Sequence, residues 1–472
     1  MTPSYAALFR SPYRALMVAA LGATFLGSLD ALMVTTALPT AAQDIGGVGL
    51  IAITVGATTV TVAMTFPVAG AVIDRHGVGR SFAIACILFT TANVIGGLAP
   101  SMTVIAASRA ILGAGAGFMF AVPLGLFAIS VPDSLRPRAF GINAAMWGVS
   151  ALIGPALGAI LTGTVGWRWV FWINLPMIAI VAWAGRLALR RRGPRPAAAG
   201  PRAPMNLIGP GLLGLLVALL LGLARPGVPR PLLGAAAAVA ACAFVWYERR
   251  STVPIFIHTA NSIAANASAF AAGAAFLGAE TYLPLQLQVG FGHGVAVVGL
   301  ALLLCTFAWT IGSMGAARFS APARVQITLG SALTFAGALA MATPDAGAVL
   351  PVAAYAVAGL GMGIASPALF AAVLSDGTAG QEGRSTSSIP LARQVGSGVG
   401  AAVAGIVFAA TLSAAQVSAA QHQGAHVPEV VHAARLTYVA VAAIGALGVV
   451  ACRWLRPGPA PTPAIEAREI PA

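Results

Sequence analysis

Away from their ends, the long apolar stretches of the chain contain four charged residues, which are Asp30, Arg109, Glu280 and Arg393. An ionisable side chain in such a stretch is energetically costly and by default functional. Every basic residue is an arginine, which stays protonated at any working pH, and the six histidines fall in loops or at the ends of the stretches. If the protein moves protons, Asp30 and Glu280 are therefore the groups predicted to carry them. The same carboxylates could instead hold a cationic ligand, because a proton and a cation compete for one negative charge.

Composition places these residues in a membrane protein. Of the 472 residues, 58% are hydrophobic and 8% are charged, whereas a soluble domain carries about 25% charged residues. So little charge cannot cover a soluble surface, which excludes a soluble enzyme. The net charge of +14 is expected from cytoplasmic loops, and nucleic acid is not a predicted partner. The chain has no lysine and therefore no P-loop, which excludes ATP as the energy source.

Fourteen apolar stretches are long enough for a helix to cross a bilayer, which takes about 20 residues. They cover residues 14–36, 50–72, 81–99, 103–127, 139–163, 169–187, 207–224, 231–247, 262–285, 294–314, 326–343, 349–374, 387–411 and 435–454. With the N-terminus in the cytoplasm, Arg168, Arg225, Arg230 and Arg435 lie outside, Arg109 and Arg393 lie within spans, and the other 20 of the 26 arginines lie inside. This bias follows the positive-inside rule and predicts a multi-pass protein of the cytoplasmic (inner) membrane with both termini in the cytoplasm.

Two loops indicate an internal repeat. The loop after the second span, Gly70–Arg80, has a more divergent counterpart after the tenth span, Gly312–Arg324, in which the acid is missing. If these loops correspond, spans 1 to 6 match spans 9 to 14, and two halves of this kind are the plan of many secondary transporters. The predicted domains are an N-terminal six-helix bundle (1–200), an inserted helix pair (201–258), a C-terminal six-helix bundle (259–456) and a disordered tail (457–472).

Five segments carry a family resemblance. They are Leu29–Pro39 in span 1, Gly70–Arg80 after span 2, Arg109–Gly117 in span 4, Gly154–Ala159 in span 5 and Trp167–Pro176 at the start of span 6. In this order and on these spans, they resemble the motifs of the fourteen-span drug:proton antiporter branch of the major facilitator superfamily, the multidrug efflux type. The chain departs from the usual motifs at Leu112, where Gln is common, and at Ala159, which replaces a Gly. Weaker echoes follow at Glu248–Arg250 with Pro254, at Leu283–Gln288 and at Arg393–Gly396.

The resemblance implies an all-α major facilitator fold of 14 transmembrane helices and proton-coupled export of hydrophobic or cationic small molecules by alternating access. It also implies that spans 1 and 4 border a central cavity, so that Asp30 and Arg109 could form a pair. A permanent structural ion pair is the alternative. Gly154, Pro155 and Gly158 would mark an exporter, although by physics alone they form a kink and a close-packing face.

A short charged turn follows span 2. It contains Asp74, Arg75 and Arg80, and Gly70 and Gly77 shape it around the acid. On the cytoplasmic face this turn could bind helix ends of the other half and latch the outward-open state, an interaction that must break during alternating access. A solvated topology signal is the alternative interpretation.

The remaining expectations concern ligands. His422 and His426, with His432, have a spacing that could suit a metal, but no Cys or paired acid completes a site, so neither a metal nor a cofactor is predicted. The expected partners are a small-molecule substrate, protons and the lipid bilayer, with the chain as a monomer. Two other functions stay open: export of an endogenous lipid, siderophore or self-made antibiotic, and a non-transporting membrane sensor or scaffold of the same fold.

Overall fold

The computed structural model describes residues 5–10, 13–47, 50–190, 207–223, 229–251, 254–256, 259–316, 321–343, 347–376, 381–412 and 427–456. Several predictions fall outside these residues. They are the disordered tail (457–472), the boundary between the first bundle and the inserted pair (200–201), the end of the inserted pair at 258, and the spacing of His422 and His426.

Fourteen long helices make up most of the described part of the chain, after a short 3₁₀ turn at Tyr5–Phe9. They are α1 (Arg14–Asp44), α2 (Ile51–His76), α3 (Val78–Gly97), α4 (Met102–Ser130), α5 (Arg136–Thr164), α6 (Asn174–Arg190, preceded by one turn at Trp169–Trp172), α7 (Ile208–Leu223), α8 (Arg230–Arg250), α9 (Ala260–Leu285), α10 (Val295–Ala316), α11 (Ala323–Ala340), α12 (Val349–Ser375), α13 (Glu382–Thr411) and α14 (Pro428–Ala451). Each matches one predicted span, so the predicted all-α fold is confirmed.

Twelve of these helices are long and apolar enough, by length and composition, to cross a membrane. The other two are α7, which has 16 residues, and α11, which has 18 residues and begins next to Arg324. The largest difference from the predicted ends is at α1, which continues through Pro39 to Asp44. A proline is tolerated in a membrane helix because neighbouring groups satisfy the freed backbone atoms. Asp30 therefore lies in the middle of a 31-residue helix.

The helices pack in the same pattern twice. In the first half α1 lies on α5 and α6, while α4 lies on α2 and α3. In the second half α9 lies on α13 and α14, while α12 lies on α10 and α11. Helices in a membrane associate largely through close packing of small residues, because lipid leaves little hydrophobic drive between them. Glycines accordingly line matching contacts: Gly113 and Gly117 of α4 face α2, and Gly359 and Gly363 of α12 face α10.

The inserted helices lie beside the junction of the two halves. Helix α7 packs on α8, on α2 of the first half and on α13 of the second half. Met64 of α2 packs against Gly214 of α7. A Cβ atom added at Gly214 would lie 2.5 Å from the sulfur of Met64. The pair therefore bridges the two bundles from one side.

The two halves meet through α2 with α13 and through α5 with α10 and α12. The rings of Phe140 and Phe370 stack across this junction with centroids 4.8 Å apart. The Tyr5 hydroxyl donates to the Met314 carbonyl oxygen at 2.8 Å. These contacts lie near the face of the bundle at which α1 begins and α2 ends, here called the arginine-rich face. The halves are thus closed against each other on that face.

Candidate functional site

A buried ion pair joins Asp30 of α1 to Arg109 of α4. The Nη1 atom of Arg109 lies 2.8 Å from Oδ2 of Asp30, and both side chains are almost fully shielded from solvent. Asn174, the first residue of α6, donates from Nδ2 to Oδ1 of Asp30 at 2.7 Å and to Oδ1 of Asn93 at 2.9 Å. The structure brings the two charged residues together and adds two amides that sequence reasoning missed. Asn174 lies in the Trp167–Pro176 motif, which was the available signal.

The Arg109 guanidinium keeps unused hydrogen-bond donors. Its Nε and Nη2 atoms are buried and have no partner among the described residues, and neither has Oδ1 of Asn174. The guanidinium carbon lies 5.2 Å from the centre of the Phe171 ring. A buried ion pair with a purely structural role is stable only when further hydrogen bonds satisfy its remaining donors. Two donors of the Arg109 guanidinium are thus available to a further acceptor.

The glycines of the span-5 motif pack on the helix that carries Asp30. A Cβ atom at Gly158 would lie 2.6 Å from the carbonyl oxygen of Met33, and one at Gly154 would lie 3.0 Å from Cβ of Leu32. Two hydroxyls, of Ser28 and Ser150, also meet across the same helix pair at 2.6 Å. Pro155 lies inside α5 between the two glycines. The motif thus fixes how closely α5 approaches α1 around the level of Asp30.

The second half has its own acidic cluster. Glu280 on α9 lies near the Tyr355 hydroxyl on α12, which also adjoins the Cys305 thiol on α10. The Tyr355 ring stacks on Phe276 with centroids 5.0 Å apart. Phe276 in turn meets Trp309 edge-on at 5.6 Å. Glu280 and Asp30 therefore belong to separate clusters, one in each half.

Tyr355 and Arg109 hold matching positions in the repeat. Arg109 lies four residues before Gly113, the first of the paired glycines on α4, and Tyr355 lies four residues before Gly359, the first on α12. In both halves, an acid from the opening helix thus meets this position of the fourth helix. The partner is a permanent cation in the first half and a neutral hydroxyl in the second, so the two acids differ in chemistry.

Asp74 caps a helix of the opposite half. Its Oδ1 accepts from the backbone N–H of Gly383 at 2.7 Å and its Oδ2 from that of Arg384 at 3.0 Å, at the start of α13. A carboxylate is favourable there because the N-terminus of a helix carries unpaired N–H groups and a partial positive charge. We call this contact between Asp74 and the start of α13 the latch.

Glycines give the latch its shape, whereas the arginines of the turn lie apart from it. A Cβ at Gly70 would lie 2.6 Å from the carbonyl oxygen of Gly383, and Gly77 ends α2 with a φ of 82°. Arg75 and Arg80 are exposed, and no side-chain hydrogen bond or ion pair joins them to another residue in the part of the chain that the structure describes. The structure therefore brings together Gly70, Asp74 and Gly77, but not the two arginines. Sequence reasoning missed Gly383 itself, because the predicted span 13 began at residue 387 whereas the helix begins at Glu382.

The segment after the inserted helices also reaches α13. The Arg384 side chain donates to the carbonyl oxygen of Pro254. At the end of α8, Oε1 of Glu248 accepts from the backbone N–H of Phe256 at 2.6 Å. Glu248–Arg250 and Pro254, which weakly resemble a family motif, thus lie in a segment that connects the inserted pair to the latch.

These features define a class of protein: a multi-pass membrane protein with two related six-helix bundles, an inserted pair and charged residues inside each half. Residues 20–401 match the Major Facilitator Superfamily, and the chain belongs to this family. The predicted fold class is confirmed. Among the described residues, no group of three or more His, Cys, Asp or Glu side chains is placed to hold a metal ion.

Similar proteins agree with this family. An uncharacterised MFS-type transporter of Mycobacterium tuberculosis is 30% identical over 400 residues, which cover 80% of this chain and 56% of that relative. The chain thus spans just over half the length of that relative. The multidrug transporter protein MdtP of Bacillus subtilis is 27% identical over 406 residues, covering 82% and 73% of the two chains. The crystal structure of the human organic anion transporter MFSD10 (TETRAN) matches with a TM-score of 0.66 and 16% identity over 95% of this chain and 100% of that one, which is a likeness of fold.

Proposed function

We propose that the protein exports hydrophobic or cationic small molecules across the cytoplasmic membrane in exchange for protons, by alternating access of its two halves. The observation that carries the proposal is the Asp30–Arg109 pair, which is buried mid-helix with unused donors on Arg109. The names of relatives such as the multidrug transporter protein MdtP support the substrate class. The packing of Gly154 and Gly158 against the helix of Asp30 agrees with the antiporter motif that these glycines resemble.

The closed face is assigned to the cytoplasm. Most of the arginines fall on the side of the bundle where α1 begins, and arginines accumulate on the cytoplasmic side of membrane proteins. With that orientation, the stacked rings of Phe140 and Phe370 and the latch at Asp74 close the inner side of the transport path. The conformation is then one that is closed to the cytoplasm.

Proton binding changes the attraction that holds the Asp30 cluster together. A protonated Asp30 carries no charge, so the ion pair with Arg109 loses its electrostatic part while the neighbouring Asn174 amide keeps a partner. The freed guanidinium can then turn its donors to other acceptors. Rocking of the halves must break the two backbone hydrogen bonds that Asp74 accepts from α13. Release of the proton to the cytoplasm restores the ion pair and completes the cycle.

Glu280 is suited to a different part of the cycle. The structure describes no cationic partner for its carboxyl group, which instead meets the Tyr355 hydroxyl. Three aromatic rings packed against one another adjoin it, those of Tyr355, Phe276 and Trp309. A substrate cation with an aromatic body finds both a negative charge and stacking surface here, and a proton competes for the same carboxylate.

Transport of ethidium, a cationic aromatic dye, tests the proposal. The full-length protein in proteoliposomes should move ethidium against its gradient when a pH gradient is imposed, and Asp30→Asn and Glu280→Gln should each impair this movement. Asp133→Asn is the matched control, because Asp133 is an exposed acid in the loop between α4 and α5. Intact uphill movement in the double variant would show that proton coupling does not depend on these acids. Absence of all transport by a correctly folded wild type would favour the sensor or scaffold function.

A further inference from the structure

Arg393 is a second arginine inside the bundle, and it differs from Arg109 in having no acid beside it. It lies on α13, eleven residues after Glu382 and so about 16 Å from the arginine-rich end of the helix. Its Nη2 atom donates to Oγ of Ser366 on α12 at 3.1 Å. No ion pair of Arg393 exists within the described ranges, whereas Arg109 is paired with Asp30. The second half thus keeps an inner positive charge without a counter-ion.

Two buried donors at this place lack acceptors. Nε of Arg393 and Nε1 of Trp309 are both shielded from solvent, and neither has a hydrogen-bond partner among the described residues. The guanidinium carbon lies 5.5 Å from the centre of the Trp309 ring. The Ser366 hydroxyl donates to the Met362 carbonyl oxygen at 2.7 Å, so its oxygen serves Arg393 as an acceptor. Guanidinium and indole N–H groups can only donate, so the ligand that completes them must supply acceptor oxygens.

The cluster adjoins the junction of the two halves. Ser366 lies one helical turn before Phe370, whose ring stacks on Phe140 of the first half. Trp309 is followed by Thr310, whose hydroxyl oxygen faces Gly148 of the first half. The donors of Arg393 and Trp309 therefore lie next to the surfaces that separate when the halves rock, where a transported molecule passes.

The surroundings favour an oxyanion on an apolar body. A guanidinium fork matches the geometry of a carboxylate and binds it more strongly than a neutral amide. The rings of Trp309, Phe276 and Tyr355 pack in a row beside the donors, with Phe276 and Tyr355 buried in the core of the second half. The same row ends at Glu280, which suits a cation. A molecule that carries a carboxylate and an aromatic body, with or without a cationic group, would match all of these features.

We propose that Arg393 and Trp309 bind the carboxylate, or an equivalent oxyanion, of the transported molecule, with Ser366 orienting the guanidinium. This proposal rests on the proposed export function and extends its substrates to anionic and zwitterionic aromatic amphiphiles. An oxyanion could also come from the phosphate of a lipid headgroup, which presents the same acceptor oxygens. The experiment must separate these two sources.

Binding of 2-naphthoate and of its neutral analogue 2-naphthamide tests the site. Equilibrium dialysis uses the full-length protein in phosphatidylcholine nanodiscs, and empty discs correct for partition into lipid. The wild type should bind the naphthoate about tenfold more tightly than the naphthamide, since only the naphthoate accepts charge-assisted hydrogen bonds. Arg393→Gln should abolish this preference and Arg393→Lys should keep part of it. Arg324→Gln, which removes an exposed arginine from α11 of the same half, should leave it unchanged.

Several outcomes overturn the proposal. Equal binding of the two compounds by the wild type does so, and so does a preference that survives Arg393→Gln. If that variant does not fold, Trp309→Phe decides, because it keeps a ring but removes the N–H: it should weaken naphthoate binding severalfold and leave naphthamide binding alone. Loss of the preference when phosphatidylglycerol is added to the discs would assign the site to the phosphate of an anionic lipid. Ethidium transport by the wild type is measured separately, so that failure of the oxyanion site and failure of the export function are distinguishable.

Discussion

Removal of the Asp74 carboxylate should open the arginine-rich face. In Asp74→Ala, the backbone N–H groups of Gly383 and Arg384 lose the acceptors that lie 2.7 and 3.0 Å from them. A hydrogen bond to a charged group contributes about 1.5–3 kcal/mol, and the partial exposure of Asp74 places both bonds at the lower end. The latch should therefore stabilise the closed face by about 3 kcal/mol, a factor of about 100 in the equilibrium between the two conformations. Asp74→Asn keeps one neutral acceptor and should lose roughly two thirds of this free energy.

Distances between spin labels measure this equilibrium. Labels at Ser134→Cys and Arg324→Cys, in a protein whose four native cysteines are replaced, report on the separation of the two halves at the arginine-rich face, since both positions are exposed there. Asp74→Ala should raise the population of long distances, and Asp74→Asn should raise it less. Arg75→Ala is the matched control, because the neighbouring Arg75 is exposed and should leave the distances unchanged. Identical distance distributions in Asp74→Ala and the wild type would refute the latch.

Two further predictions concern the first half. Arg109→Gln leaves the buried Asp30 carboxylate without its cation and should destabilise the protein by about 3–5 kcal/mol in thermal unfolding. The double variant Asp30→Asn/Arg109→Gln should recover much of this loss, because no buried charge is left unpaired. A double variant that is no more stable than Arg109→Gln would contradict the pairing energetics. Gly158→Val should reduce the amount of folded protein and its transport, because a Cβ there would lie 2.6 Å from the Met33 carbonyl oxygen, while Gly163→Ala on the same helix, with no atom within 4 Å of the added Cβ, should behave like the wild type. Equal folding yields for these two glycine variants would remove the packing argument.

The helices were predictable because each must cross about 30 Å of hydrocarbon as an uninterrupted apolar stretch. The end of span 1 was predicted too early, at residue 36, because the uninterrupted apolar stretch stops there whereas α1 continues to Asp44. Pro39 and the polar residues after it resemble a span boundary in sequence, but the helix continues to Asp44, whose carboxylate accepts from the Trp167 indole N–H at 2.9 Å. This hydrogen bond joins residues that are 123 positions apart in the chain, so local composition does not predict where the helix ends.

The candidate site was predictable to a lesser degree. Asp30 and Arg109 stand out because charged residues are rare in spans. Asn93 does not, because a single amide in an apolar helix has no spacing signature. Asn174 lies in the Trp167–Pro176 motif, but only the packing of α6 brings its amide to Asp30, and only that of α3 brings Asn93 to Asn174. The sequence also grouped Arg75 with Asp74 in one charged turn, although side chains of adjacent residues on a helix point in different directions.

Proton movement during substrate transport is the direct test of coupling through Asp30. Proteoliposomes loaded with the pH-sensitive dye pyranine and held without an imposed pH gradient should report a change of internal pH when ethidium is added and transported. We expect protons to move opposite to ethidium in the wild type. Asp30→Asn should abolish this proton movement, and Asp133→Asn should preserve it. Ethidium transport by the wild type without any proton movement, or proton movement that is unchanged in Asp30→Asn, would contradict the account.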